Sequence, residues 1–399
     1  MRRTPAFGTM VKPIGSACNL DCCYCYYRDK GEIYGGTMPR MSDELLETYI
    51  KQYIEGVSQN NVVFCWHGGE PLLAGLPFFR KAMELQAKYA GGKIIENTLQ
   101  TNGLLLNEEW CSLFRDNNFL VGLSLDGPED IHDAFRKDCG GFPTFAKVMK
   151  AADMMTRCGV EFNILSTVNA RSEGRGAEVY KFLSGINPYL QFLPVVEYVK
   201  MREGKRPLIV SPDDETAVPA PWSVTAKGYG QFMCDVFDEW IKFDVGSRFV
   251  QLFDVTLANW CGVPPSLCAF AEVCGDGLVV EHNGDVYSCD HFVYPEYRLG
   301  NIKDSDLVTM YRSSEQQAFG RDKRDALPME CKRCNYYFLC HGECPKHRFE
   351  YAKNGEPYMN VLCEGYKMFF RHTDPYMRRM KTLIEKGQPA SEIMRENIK

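Results

Sequence analysis

Three cysteines near the start of the chain stand as C-x3-C-x2-C: Cys18, Cys22 and Cys25 in SACNLDCCYCYY, with Tyr24 just before the last. Three thiolates leave one corner of a four-iron cube without a protein ligand. An iron with an open position can bind a small chelating molecule there. The same three ligands could instead hold zinc with a water. Cys23 falls off the spacing and reads as a spare thiol. Downstream, His67-Gly68-Gly69-Glu70-Pro71 adds two glycines that let backbone approach a ligand closely. It also adds a carboxylate, Glu70, able to accept hydrogen bonds from a cationic amine.

A second field of thiols lies toward the C-terminus: Cys268-x5-Cys274, Cys289, Cys331-x2-Cys334-x5-Cys340-x3-Cys344, and Cys363. These eight suffice for two four-coordinate sites. C-x2-C followed by later pairs is also a structural zinc signature, so spacing alone leaves zinc and iron–sulfur both open here.

The elements that must hold these residues alternate. Ser42 caps a helix through LLETYIKQYI, and Asn61 to Trp66 reads as a strand. Helices over 78–89, 108–115, 145–157 and 177–183 then alternate with strands ending at Gln100 and covering 120–125, 160–168 and 190–196. With a first strand before Cys18 there are six βα repeats, which predicts an α/β chain with a partial, open (β/α)6 barrel. The loops after the strands carry the suspicious residues, as expected of such a sheet: Cys18, His67 to Glu70, Gln100 and Ser124 to Gly127. Residues 198–228, with Pro207, Pro212, Pro219 and Pro221, read as a long connection over the site, followed by a helix over 231–243. Asn283-Gly284 between two apolar runs marks a hairpin. The expected domains are a barrel over 1–235, a helical link over 236–262, a cysteine-rich domain over 263–370 and a helical tail over 371–399.

Composition narrows the classes. The chain has 399 residues, 45% hydrophobic and 25% charged, with a net charge of −6. No basic stripe is present to meet nucleic-acid phosphates, no apolar run is long enough for a membrane span, and no apolar segment follows Arg2 and Arg3 to form a secretory signal. Eighteen cysteines in a long chain of this kind suggest cluster or metal ligands in a reducing cytoplasm, not a disulfide scaffold. Seven fall outside the two fields: Cys23, Cys65, Cys111, Cys139, Cys158, Cys234 and Cys261. They read mainly as small buried hydrophobes.

The cysteine motif with an aromatic before its last member, followed by GGEP, resembles the radical S-adenosylmethionine (SAM) enzymes. The resemblance implies that the open iron chelates the amino and carboxylate groups of S-adenosylmethionine. Reductive cleavage then gives methionine and a 5′-deoxyadenosyl radical. It further implies that Tyr24, Gly69, Glu70, Ser124, Arg136 and Val196 contact that cofactor. The later thiols resemble a SPASM-type extension with two auxiliary [4Fe–4S] clusters, one on Cys268, Cys274, Cys289 and Cys344, the other on Cys331, Cys334, Cys340 and Cys363.

The segments MVKPIGSACNL, WHGGEPL, LQTNG, LVGLSLDGPEDIHDAFRKD, NGDVYSCDHFVYPEYRLGNI and CHGECPK are similar to anaerobic sulfatase-maturating enzymes, notably Bacteroides-type members. That implies oxidation of a cysteine or serine in a C/S-x-P/A-x-R segment of a sulfatase to Cα-formylglycine, with flavodoxin or ferredoxin as electron donor. Asp290, after Cys289, matches the family's base. An ordinary carboxylate facing a thiol is mismatched by about 6 kcal/mol, so proton loss should follow hydrogen abstraction, and a pKa raised by burial would help Asp290 further. His67 and Gln100 are placed on the same rim, in reach of substrate or cofactor, while His291 reads either as orienting Asp290 or as a surface histidine. Two other functions compete: a SPASM-type maturase forming thioether or carbon–carbon crosslinks, and a zinc-stapled binding protein.

Overall fold

The computed structural model describes residues 6–36, 39–204, 206–210, 214 and 216–396. Arg2, Arg3 and Pro212 lie outside them. Thirteen strands follow in chain order among the described residues: β1 Gly8–Lys12, β2 Asn61–Trp66, β3 Ile94–Thr101, β4 Phe119–Ser124, β5 Phe162–Val168, β6 Tyr189–Pro194, β7 Tyr198–Lys200, β8 Leu208–Ile209, β9 Val218–Pro219, β10 Phe249–Val250, β11 Gly277–Glu281, β12 Asp285–Tyr287 and β13 Arg298–Asn301. The six expected βα strands are β1 to β6. Those of the first half end within about two residues of the expected limits, the usual uncertainty of such boundaries.

The chain forms two compact units, each assembled from separated stretches. The first comprises residues 1–124, 135–162 and 275–321. Its strands run β4-β3-β2-β1-β11-β12-β13. The run from β4 to β11 is parallel, and β11, β12 and β13 pair antiparallel. β2 shows why this sequence folds here. Val62, Phe64 and Trp66 are buried, and Trp66 packs edge-on against Phe78 and Phe79 of the helix Leu76–Tyr89 and against Tyr49 of the helix Asp43–Gly56. Side chains of this size contribute roughly 1.5–3 kcal/mol each on burial. The first helix starts where expected, with Ser42 Oγ accepting from the Leu45 N–H at 3.2 Å. The Asn283-Gly284 hairpin also forms, and its first strand lies parallel to β1, so Cys289 and Asp290 follow a strand of the barrel-side sheet.

The second unit comprises residues 125–134, 163–274 and 322–399. It holds the parallel strands β5 and β6, with β10 beside β6. The proline-rich connection is not bare loop: β7, β8 and β9 form a small antiparallel sheet in the order β8-β7-β9. Pro219 sits in an edge strand, where its missing N–H costs no ladder bond. The helix Ala226–Phe243 begins five residues before the expected start, because Thr225 caps it by accepting from the Gly228 N–H at 2.9 Å. A single helix, Cys363–Glu385, runs across position 370 and buries Tyr366, Phe369, Phe370, Met377 and Met380. Among the described residues, no helix is long and apolar enough to cross a membrane.

Candidate active site

The loop that carries the first three cysteines leaves β1 at Lys12 and is folded by its own backbone. The Ala17 N–H donates to Ile14 O and the Cys25 N–H to Cys22 O. The glycine segment straps this loop down: the Gly69 N–H donates to Gly15 O at 2.8 Å and the Glu70 N–H to Ala17 O at 2.9 Å. A Cβ on Gly69 would lie 2.0 Å from Ala17 O, so glycine is required there for contact with the cysteine loop. Glu70 completes the strap. Its buried carboxylate accepts from the Leu72 N–H (3.1 Å), the Thr101 hydroxyl (2.9 Å) and the Asn102 N–H (2.8 Å), tying the end of β2 to that of β3. Burial lifts its pKa to about 7, against those three donors.

Cys18 Sγ accepts from the Leu20 N–H at 3.3 Å and the Asn102 side-chain amide at 3.7 Å. Burial nonetheless raises this thiol to about 12. It is not a free nucleophile, and a metal displaces such a proton when it binds. A soft sulfur set with N–H donors aimed at one sulfur fits an iron–sulfur cluster. Beside the loop, Tyr24 is buried with its ring edge-on to Phe135, and the Arg136 guanidinium lies 5.6 Å from the Tyr24 ring centre. Ser124 Oγ, at the end of β4, accepts from the Gln100 side-chain amide at 3.0 Å. Thus Tyr24, Gly69, Glu70, Ser124 and Arg136 all belong to the first unit; Val196 is buried in the second.

Asp290 lies in the first unit within a polar knot that composition and spacing did not announce. Its carboxylate is paired with the Lys12 ammonium and accepts from the Tyr26 hydroxyl. Burial alone would raise its pKa, but the Lys12 ammonium overrules it and holds the carboxyl below the usual range. His67 Nδ1 stands 3.0 Å from the Lys12 ammonium and 2.8 Å from the Gly68 N–H. Both neighbours are donors, so Nδ1 is the acceptor and the ring proton sits on Nε2. Burial and Lys12 lower its pKa to about 3, keeping it neutral. The His291 ring is edge-on to Tyr26 at 4.9 Å. Lys12 and Tyr26 were missed; the only local signal was an aromatic directly after Cys25.

The later thiols divide between units. Cys289 is in the first, while Cys268, Cys274, Cys331, Cys334, Cys340, Cys344 and Cys363 are in the second. Cys331, Cys334, Cys340 and Cys363 line one cavity walled by Tyr336, Met359, Tyr366 and Phe370. Four thiols lining one cavity with apolar walls suit a cluster of several irons.

Comparison with known proteins agrees with this chemistry. The Radical SAM superfamily matches residues 13–173, and an iron–sulfur cluster-binding domain matches residues 268–335. Fold and site therefore define a radical SAM α/β protein with a SPASM-type cysteine-rich extension. The serine-type anaerobic sulfatase-maturating enzyme of Bacteroides thetaiotaomicron is 47% identical over 97% of this chain and 94% of its own length. The cysteine-type enzyme of Clostridium perfringens strain 13 is 34% identical over 93% and 97%. A solved structure of native anSMEcpe with bound AdoMet and Cp18Cys peptide superposes with a TM-score of 0.82 at 34% identity, covering 95% of this chain and 99% of that one. The chain belongs to the anaerobic sulfatase-maturating enzymes.

Proposed function

We propose that this enzyme oxidises a cysteine or serine in a C/S-x-P/A-x-R segment of a sulfatase to Cα-formylglycine, and that Asp290 is its base. When bound, three [4Fe–4S] clusters and S-adenosylmethionine supply a hydrogen-abstracting radical and a one-electron acceptor. Cys18, Cys22 and Cys25 would hold the open cluster, with Tyr24, Gly69, Ser124, Arg136 and Val196 around the cofactor. Glu70 acts chiefly on the loop, since protein donors already engage both of its oxygens.

The observation that carries the reading is one contact. Tyr26 follows Cys25, and its hydroxyl meets Asp290, which follows Cys289. The base therefore follows a thiol of the later field and touches the residue that follows a thiol of the first. Oxidation removes a hydrogen atom from Cβ of the target, the thiol or hydroxyl proton, and one further electron. A carboxylate held this acidic does not deprotonate a resting thiol. Once Cβ has lost its hydrogen the adjacent proton is far more acidic, and Asp290 can take it. Lys12 keeps that carboxylate ionised beforehand, and neutral His67 fixes the ammonium. Water then converts the thioaldehyde from cysteine to the aldehyde; serine yields the aldehyde directly.

The sulfatase segment is the polypeptide partner. Flavodoxin or ferredoxin is the proposed reductant and the cytoplasm the proposed location. Anaerobic incubation with a sulfatase-derived peptide, S-adenosylmethionine and a chemical reductant tests the reaction. Mass spectrometry should find loss of two hydrogens from a serine peptide, or sulfur replaced by oxygen with loss of two hydrogens in a cysteine peptide. A crosslinked product without aldehyde would refute it.

A further inference from the structure

Lys323 occupies the last turn of the helix Ser314–Asp325 and is 1% exposed, although among the described residues no carboxylate neutralises it within ion-pair distance. Its ammonium donates instead to three backbone carbonyls, those of Cys268, Ala269 (2.8 Å) and Ala271, which form the turn that carries Cys268. Three N–H donors thus meet three acceptors, and the positive charge is left for the surroundings. Arg348, also buried, braces the arrangement. It donates to Lys323 O at 2.7 Å, Gly342 O at 3.2 Å and Glu343 O at 3.1 Å, in the loop that carries Cys344. The nearby acid, Glu343, is already committed to His347 (2.8 Å) and Asn360 (2.7 Å). The Cys331, Cys334, Cys340 and Cys363 cavity differs. Its cation, Lys367, is bonded to Glu364 at 3.0 Å and lies 3.6 Å from Glu330.

A cluster with four thiolates goes from a net charge of about 2− to about 3− on reduction, and its potential follows the charges around it. A fixed cation in a buried, low-dielectric shell favours the more negative state. Resting on the cluster reading above, we infer that Lys323 sets the potential of the auxiliary cluster that includes Cys268, Cys274 and Cys344, raising it so that this cluster takes up the substrate's second electron. Lys323 is a positioning residue: it acts through the cluster and touches no reacting atom.

The test is a mediated electrode titration of the anaerobic holoenzyme followed by electron paramagnetic resonance, with iron counted in parallel. Lys323→Gln keeps side-chain N–H donors and removes the charge; Lys323→Arg keeps the charge. In Lys323→Gln one of three one-electron steps should move negative, with the reduction constant falling at least tenfold (about 59 mV). The other two should stay, and Lys323→Arg should follow the unsubstituted enzyme. Three unchanged steps in Lys323→Gln at full iron content would overturn the inference, as would an equal shift in Lys323→Arg. Loss of one cluster from Lys323→Gln would leave a structural role only and overturn it too. Failure to find three steps in the unsubstituted enzyme would strike the cluster reading itself, before Lys323 is reached.

Discussion

The loop holding Cys18, Cys22 and Cys25 is fixed by backbone hydrogen bonds and by a glycine strap, whereas the pocket holding Cys331, Cys334, Cys340 and Cys363 is walled by Tyr336, Met359, Tyr366 and Phe370. The first has three thiols on a short loop with Asn102 and Leu20 donating toward sulfur. The second has four thiols in an apolar enclosure. The difference matches what each can do: a cluster that must bind a cofactor needs an open corner and polar neighbours, while one held by four thiols is left with electron transfer or structural support and needs full ligation and shelter. Asp290 belongs with the first region by its contacts, though it follows a cysteine of the second field.

The strongest break in this comparison is removal of ligands from each side. Replacing Cys18, Cys22 and Cys25 by alanine should abolish S-adenosylmethionine cleavage and leave about eight of about twelve irons. Replacing Cys334 and Cys340 should cost a similar share of iron while cleavage persists and formylglycine fails. Iron analysis with chromatography of deoxyadenosine reads both. Next in size, Asp290→Asn should continue to form deoxyadenosine while formylglycine drops roughly 10²–10⁴-fold, the usual worth of a positioned base. A smaller effect is expected from Lys12→Met. Without the ammonium the Asp290 pKa climbs, so the acidic limb of the pH profile for product formation should move to higher pH.

The smallest concerns His67. Its folded pKa is about 3 against an ordinary 6.5, so below pH 6.5 the unfolded chain binds a proton that the folded chain refuses. Stability should therefore fall as pH drops from about 6.5 toward about 3. His67→Gln, which offers an amide oxygen where Nδ1 accepted, should flatten that slope in denaturant titrations.

Much of this organisation was legible in the chain. The βα rhythm, the Ser42 cap and the Asn283-Gly284 turn are local signals, and local geometry obeyed them. Cysteine spacing singled out the three loop thiols and the four that line one cavity. What escaped was non-local. Tyr26 and Asp290 are 264 positions apart, and nothing near either residue announces their contact. Lys12 reads as an ordinary strand-end charge until Asp290 is placed beside it. The sheet of β7, β8 and β9 hid behind prolines that occupy its margins. The glycines of the GGE segment were read as a close approach to a ligand; the structure adds a close approach to the cysteine loop itself.

The division between a radical-forming loop and an electron-accepting field is tested most directly by a single turnover. The enzyme would be bound anaerobically to sulfatase-derived peptide and S-adenosylmethionine with its clusters oxidised, given a limiting pulse of photoreductant, and frozen beside a peptide-free control. The account predicts one deoxyadenosine per formylglycine, with a reduced auxiliary-cluster signal growing in step with product. Formylglycine formed in full while both auxiliary clusters stay oxidised would contradict it.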